Sequence, residues 1–405
     1  MKRRILFVDD EPQILEGLRH RLHKQRKQWD MLFAESGFAA LELLAKEPVD
    51  VIVTDMRMPQ MDGATLLKKV QEVYPGVVRI VLSGHAELET ALRAVPVAHQ
   101  FLSKPCDPGV IENVVERACR LQLLVTDEVV KQVVGKIEKL PSLPRVYSQL
   151  VSALSNESVS TDDVAKILKQ DMAISAKTLQ VVNSAFFRLP RSIGKIEEAV
   201  KYLGLTTVKH ITLAVEVFNL GSGQSRPPEG FSMEALQRHS LLVGDVAASF
   251  FSDKQEREDA FVVGLLHDIG RLLIGVELPK QLAAIVLEMK AAKCSMTAAE
   301  DKVLGITHAE IGGYLLGLWG LPYPIIEAVA NHHDPSRVDS TKFDMLAAVH
   351  VADALVHEAT DGQLTSGSTS GLETAYLEKL GVAAKVDGWR ENVRRQVQKH
   401  GDAES

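Results

Sequence analysis

The sequence has little cysteine, few aromatic residues, no long apolar run and no excess of positive charge. Three cysteines in 405 residues, Cys106, Cys119 and Cys294, lack metal-ligand spacing and are odd in number. That excludes a disulfide framework and fits a reducing compartment. Aromatic residues make up 5% of the chain, and no aromatic-basic pattern of a nucleic-acid surface appears. No apolar run approaches the roughly 18 residues needed to span a membrane. Met1-Lys2-Arg3-Arg4 has the charge of a signal-peptide start, but its apolar stretch ends at Asp9. The expectation is a cytoplasmic protein without a membrane partner. Lys and Arg total 46 against 53 Asp and Glu, a net charge of −7. Residues 1–120 are balanced, 17 against 17, so the remaining 29 basic and 36 acidic residues carry the whole imbalance. An acidic C-terminal part without a helix-turn-helix or zinc-finger pattern argues against DNA as the partner.

What is present suffices for a sizeable core, with 46% hydrophobic and 24% charged residues. The length suggests about two to three domains. The first 120 residues alternate strand and helix five times. Pro12 opens a helix with Ile14, Leu15, Leu18 and Leu22 on one face. Four short apolar runs each end on polar groups. Arg4-Ile5-Leu6-Phe7-Val8 leads into Asp9-Asp10, and Val51-Ile52-Val53-Thr54 into Asp55. Ile80-Val81-Leu82 leads into Ser83, and Phe101-Leu102-Ser103 into Lys104. Such runs between amphipathic segments read as buried parallel strands. In an open α/β sheet the active crevice lies at the carboxyl ends of the strands. Three carboxylates, a hydroxyl and an amine therefore meet there. Clustered carboxylates repel unless a cation joins them, and hard oxygen ligands suit Mg²⁺. A carboxylate beside Mg²⁺ and a lysine can take a phosphoryl group, because both cations offset the charge on its oxygens.

Residues Lys2 to about Arg120 resemble a two-component receiver domain. The resemblance rests on Val8-Asp9-Asp10-Glu11, the run from Asp55 through Met56-Arg57-Met58-Pro59 to Gly63, Leu82-Ser83-Gly84 and Phe101-Leu102-Ser103-Lys104-Pro105. It implies that Asp55 accepts phosphate from a histidine kinase. It further implies Mg²⁺ on Asp10, Asp55 and the Arg57 carbonyl, with Asp9 acting through water. Ser83 and Phe101 are the implied switch, with Lys104 on the phosphoryl group. Lys104-Pro105 is the candidate cis peptide.

Beyond the receiver, Val114, Ala118, Leu121 and Val125 recur as in a helical seam, and Val129, Val130, Val133 and Val134 extend the apolar face. One reading is a helix from Asp107 to Lys139, about 50 Å long. The other is a receiver helix, a break and a short linker helix. The seam raises the expectation of a homodimer. From Leu140 onward only helical periodicity is evident. The expected helices are 143–155, 161–185, 195–220, 232–252, 257–275, 279–292, 307–319, 322–333 and 342–358, with short ones near 372–380 and 386–399. Thr307-His308-Ala309-Glu310 reads as a capping box. Gly221 to Gly230 and Gly362 to Gly371 read as loops.

This helical part holds a second constellation: His239, His267-Asp268, His308, His332-His333 and Asp353. The His267-Asp268 pair sits within Phe261-Val262-Val263-Gly264-Leu265-Leu266 and Leu272-Leu273-Ile274, so it is expected to be buried. Buried charges must be paired or bind metal. Five histidines and two aspartates suit two divalent metals bridged by Asp268. Neighbours on a helix point about 100° apart, so His332 and His333 share a cleft only if it lies between them. His20, His23, His85, His99, His210, His350, His357 and His400 are assigned ordinary core or surface roles.

The order of these groups resembles the HD superfamily of metal-dependent phosphohydrolases, and more narrowly an HDOD output domain. The carrying stretches are Leu140-Pro141-Ser142-Leu143-Pro144, Gln170-Asp171-Met172-Ala173-Ile174-Ser175, Val182-Asn183-Ser184-Ala185 and Tyr202-Leu203-Gly204. Leu266-His267-Asp268-Ile269-Gly270, His308-Ala309-Glu310-Ile311-Gly312, Leu318-Trp319-Gly320-Leu321-Pro322 and His332-His333 complete the pattern. The ligand set resembles the cyclic-di-GMP phosphodiesterase branch. That implies one metal, Fe or Mn, on His239, His267, Asp268 and Asp353, and another on His308, His332 and His333. Arg271 stands at the position of a phosphate-contacting lysine. Two departures are Ala235, where that branch has a glutamate, and Asp334-Pro335-Ser336-Arg337-Val338, where it has a Gly-Tyr-Pro run. The expected organisation is an α/β doubly wound five-stranded parallel receiver over 1–120 and a helical linker over 121–139. An all-α HD-type output domain follows over 140–358, then a C-terminal loop with short helices over 359–405. Two outputs remain open: hydrolysis of a phosphodiester such as a cyclic dinucleotide, or binding of a downstream protein with any metal purely structural.

Overall fold

The computed structural model describes residues 2–84, 94, 97–104, 106, 108–124, 131, 134–135, 144–154, 156, 159–183, 192–214, 231–360 and 371–402. The chain forms two compact units, one mainly of residues up to Leu140 and the other mainly of residues from Pro141 onward.

The first unit contains a five-stranded parallel sheet. Its strands are β1 (Arg3–Val8), β2 (Trp29–Ala34), β3 (Val51–Asp55), β4 (Val78–Gly84) and β5 (Gln100–Lys104), in the order β2-β1-β3-β4-β5. Ile5, Leu6, Phe7, Val51, Ile52, Val53, Ile80 and Val81 are all fully buried, as expected where helices cover both faces. The described helices are α1 (Pro12–Arg21), α2 (Gly37–Lys46), α3 (Gly63–Val73) and α4 (Pro108–Leu124). Pro12 opens α1, and Ser36 and Asp62 cap α2 and α3 by accepting from Ala39 N and Thr65 N. Register pairs Asp55 with Leu82 and Ser83 with Ser103, so the polar groups that close the apolar runs share one edge of the sheet. The order reverses direction at β1, whose neighbours are β2 and β3, and the crevice lies there.

On the opposite edge, Arg79 is buried and donates to the carbonyls of Val97 at 2.6 Å and Gly135 at 2.6 Å. Of the expected seam, Ala118 is buried and Val114 half-buried; the buried positions of α4 include Ile111 and Val115, outside that seam. The expected continuation to Lys139 crosses 125–130, which lie outside the described residues, as does Pro105 of the expected cis peptide.

The second unit is helical: α5 (Pro144–Leu154), α6 (Thr161–Leu168), α7 (Met172–Val182), α8 (Ile196–Ala214), α9 (Met233–Ser249), α10 (Lys254–Leu266), α11 (Ile269–Glu277), α12 (Pro279–Ala292), α13 (Met296–Leu304), α14 (His308–Leu318), α15 (Tyr323–Asn331), α16 (Met345–Ala359), α17 (Thr374–Lys379) and α18 (Val386–Asp402). The sequence expectation of one helix over 161–185 is corrected to two. Asp171, fully buried, accepts from Ala173 N and Ile174 N and so starts α7 afresh. Gly204 kinks α8 with a φ of 74°, a conformation that suits glycine. The expected helix over 257–275 also divides, between Leu266 and Ile269. Helix α13 lies in a stretch where no helix was expected.

Candidate functional sites

In the first unit, β1 and β3 place Asp9 and Asp55 at their carboxyl ends, and β5 ends at Lys104. Asp9 is 1% exposed and Asp55 7%. Lys104 Nζ donates to Asp9 Oδ2 at 2.7 Å and forms an ion pair with Asp55. The Arg57 amide donates to the second Asp55 oxygen at 2.8 Å, and the Glu11 amide to Asp9 Oδ1 at 3.0 Å. Asp10 sits beside Asp9, half-buried. Ser83 is fully buried at the end of β4, and Phe101 is buried within β5. Burial raises the Asp55 carboxyl above its ordinary range and the charge of Asp9 adds to this, against the Lys104 contact. Burial also works against the Lys104 charge, but Asp55 and Asp9 outweigh it and raise the ammonium pKa. The pocket therefore holds adjacent anions, one compact cation and backbone amides, the components that can bind Mg²⁺ and receive a phosphoryl group.

In the second unit, the seven expected side chains come from five places. His239 projects from α9. His267 and Asp268 occupy the break between α10 and α11. His308 is the first residue of α14. His332 and His333 follow the last residue of α15, and Asp353 projects from α16. Two expectations are corrected here. The His267-Asp268 pair lies between helices, with Asp268 at φ −97° and ψ 15°. His332 and His333 follow α15 rather than lying within it, His332 with φ −62° and ψ −21°, and their ring centroids are 3.9 Å apart, so both reach one cleft. The Thr307–Glu310 capping box is present, with Thr307 N donating to Glu310 at 3.0 Å and Glu310 N to Thr307 Oγ1 at 3.3 Å.

Three groups of donors bring their ligand atoms within 4.8 Å of one another: Asp268 with His308, His332 and His333; His239 with His267 and Asp268; and His267 with His332 and Asp353. Asp268 belongs to two of them. Its Oδ1 lies 3.1 Å from His308 Nε2, and its Oδ2 lies 3.1 Å from Arg271 and 3.9 Å from His239 Nε2. Asp353 Oδ1 lies 3.0 Å from His239 Nε2 and 3.7 Å from His267 Nε2.

Ring orientation is set by the outer nitrogens. His267 Nδ1 lies 2.6 Å from the Gly264 carbonyl, and His332 Nδ1 lies 2.8 Å from the Val329 carbonyl. A carbonyl only accepts, so each Nδ1 carries a proton and Nε2 is the nitrogen turned into the cluster. Those Nε2 atoms, and Nδ1 of His239, are buried without a hydrogen-bond partner. Buried nitrogens left so are costly unless a cation receives them. His308 Nε2 and His333 Nε2 approach to 3.0 Å, which requires a proton between them or a cation faced by both. The residues present therefore fit a divalent transition metal, whose histidine ligands ordinarily have their other nitrogen fixed in this way.

The same groups shift one another's protonation. Burial disfavours charge on Asp268, yet Arg271, His267 and His308 hold its carboxyl well below the usual range. Asp353 is held down, against burial, by its hydrogen bond to His239 and by the charge of His267 close by. Burial pushes His332 down to about 3, helped by the charges of His267 and His308. His333 is lowered for the same reason, with His332 and His308 beside it. For His308 burial works the other way from the outcome: Glu300 and Asp268 outweigh it and raise the imidazole to about 9.

Two participants escaped the sequence reading. Glu300 on α13 is fully buried and binds both the ring and the amide of His308. Its signals were Ser295 at the start and Gly305 at the end of a two-turn helix. His350, assigned an ordinary role, has Nδ1 2.8 Å from the His332 carbonyl and accepts from Glu373 N at 3.0 Å. It braces the backbone of a site residue. Among the described residues, no helix is long and apolar enough to cross a membrane.

Comparison with known proteins follows the same division. Residues 5–116 match the response regulator receiver domain and residues 140–335 the HDOD domain. An uncharacterized protein of Treponema pallidum is 26% identical over 232 residues, 56% of this chain and 44% of that protein. The transcriptional regulatory protein GlrR of Escherichia coli is 32% identical over 146 residues, 36% of this chain and 32% of GlrR. The chain thus spans less than half the length of these relatives. Among solved structures, the MmoQ response regulator of Methylococcus capsulatus is 20% identical, with a TM-score of 0.49 over 63% of this chain and 98% of MmoQ. An HDOD domain protein of Geobacter sulfurreducens is 24% identical, with a TM-score of 0.39 over 69% of this chain and 94% of that one.

Proposed function

From a chain that carries a response regulator receiver domain followed by an HDOD domain, we propose a phosphorelay protein with a metal-dependent output. A histidine kinase transfers a phosphoryl group to Asp55. Asp10, Asp55 and the Arg57 carbonyl hold Mg²⁺, Asp9 acts through water, and Lys104 meets the phosphoryl oxygens. Ser83 and Phe101 respond to the new charge. The pairing of Lys104 with both Asp9 and Asp55 supports this reading. Acetyl phosphate or beryllofluoride with Mg²⁺ should modify the wild type and leave Asp55→Asn unmodified. Equal labelling of the variant removes Asp55 from the role.

The output reading rests on one observation: seven imidazole and carboxylate groups from five separate helical termini and faces converge on overlapping donor groups. His239, His267, Asp268 and Asp353 would hold one divalent metal, Fe or Mn, and His308, His332 and His333 the other. A metal so held supplies Lewis acidity toward a phosphate ester. Arg271, hydrogen-bonded to Asp268 at 3.1 Å, presents further donors for a phosphate oxygen. The reaction class is phosphodiester hydrolysis, with cyclic dinucleotides as the first substrates to test. The reading is checked by metal content and turnover of wild type against His267→Ala at matched metal content. Turnover confined to wild type supports hydrolysis, and no turnover on any cyclic or linear nucleotide withdraws it.

A specific observation favours a second output. Ala235 replaces a carboxylate one turn before His239, and Asp334-Pro335 follows the paired histidines. With these two departures from the phosphodiesterase pattern, the HDOD domain would act by binding a downstream protein, with any metal purely structural.

A further inference from the structure

We propose that Glu300 is the positioning residue that makes His308 a metal ligand; the inference rests on the metal reading above. Glu300 sits in the middle of α13 with no exposure to solvent. Its Oε2 accepts two hydrogen bonds from one residue, from His308 N at 3.0 Å and from His308 Nδ1 at 2.7 Å. The first fixes where α14 begins. The second fixes the ring, because a carboxylate only accepts and so Nδ1 must carry the proton. The opposite edge of the imidazole then turns Nε2 toward Asp268 Oδ1 at 3.1 Å and His333 Nε2 at 3.0 Å.

His308 differs from the other ligands in this. His267 and His332 are oriented by neutral carbonyls three residues earlier, in the last turns of the helices they follow. His308 opens its helix and has no such preceding turn, so a side chain from α13 takes the place of the carbonyl. That side chain is charged, and a carboxylate behind an imidazole makes the other nitrogen a stronger donor. Glu300 Oε1 has no hydrogen-bond partner, although it is buried. A buried carboxylate left half-satisfied is a burden to a fold that only needs a helix cap. A metal held at the far side of the ring would offset that cost through its charge. Glu300 itself stands behind the ligand and does not reach the metal.

Titration of the full-length chain with Mn²⁺ tests this with Glu300→Gln and Glu300→Leu. The amide oxygen of Gln can accept the same two bonds, whereas Leu keeps volume and accepts none. Leu should weaken Mn²⁺ binding by about 10- to 100-fold, the usual loss for an outer partner of a ligand. Gln should fall between Leu and wild type. The rise in melting temperature on adding Mn²⁺ should shrink in the same order, while the chelated proteins differ far less. A purely structural role predicts equal shifts of chelated and loaded protein. Wild type binding no Mn²⁺ overturns the metal reading itself. Wild type and Glu300→Leu binding alike overturns Glu300 alone. If the Leu variant does not fold, nitrogen NMR of the Zn²⁺-loaded wild type decides. A proton on His308 Nδ1 supports the proposal, and a proton on Nε2 rejects it.

Discussion

At residue scale, the histidines of the output domain are driven in opposite directions by the same burial. His332, facing other imidazoles, is pushed down to about 3, while His308, facing Glu300 and Asp268, is raised to about 9. Unfolded, both titrate near 6.5. The depressed His332 removes stability as pH falls below 6.5, because the folded state resists its protonation. The raised His308 adds stability that is fully present below 6.5 and is lost as pH rises through 9. The chelated chain should therefore be most stable near pH 6.5, with melting temperature falling on both sides. Mn²⁺ must displace the His308 proton, so its affinity should climb between pH 6.5 and 9. Titration calorimetry across that range checks it, and a flat profile removes the His308 proton from the account. These residues were legible in the sequence because charged groups inside apolar runs need partners. Glu300 was not, since an Ala-rich, two-turn helix carries little periodicity.

Among the elements, the contact of α11 with α14 decides whether the cluster closes. A Cβ placed on Gly270 would lie 1.9 Å from the His308 carbonyl and 3.0 Å from Gly312 N. Backbone lies against backbone there, with no flexible side chain to give way. Gly270→Ala should push α14 from α11, separating Asp268 from His308. A loss of about 1–3 kcal/mol is expected from overpacking, together with weaker Mn²⁺ binding. Denaturant unfolding and metal titration check both, and an unchanged metal affinity shows that the helices can part without opening the cluster. The sequence pattern placed most helices but ran α10 into α11, because apolar residues continue across His267-Asp268. The break answers to side-chain and backbone partners far away in sequence, which periodicity does not record. The receiver sheet was easier, since each buried strand is one short apolar run with a polar end.

For the whole molecule, α4 is the last described helix of the receiver, and it buries Ile111, Val115 and Ala118 while Val110 is exposed. Phosphorylation changes charge at the strand ends and can bias a two-state arrangement of such a helix. Beryllofluoride should then alter the sedimentation of the full chain, by dimerisation or by shape. Matching profiles over a wide range of concentration, with the receiver verified as modified, count against coupling through α4.

His239 and Asp353 touch although 114 residues separate them. Their neighbours in the cluster are strung between, on helices that must each dock before the donors meet. In time, the cluster is expected to assemble late. A nascent or partly ordered chain offers scattered histidines and aspartates, and only the finished helical unit offers the set. Ions captured there should slow escape from the native state while leaving the rate of reaching it nearly unchanged. Stopped-flow unfolding with and without Mn²⁺ should show the difference in the unfolding limb, so that a metal-loaded chain is one that has completed its folding.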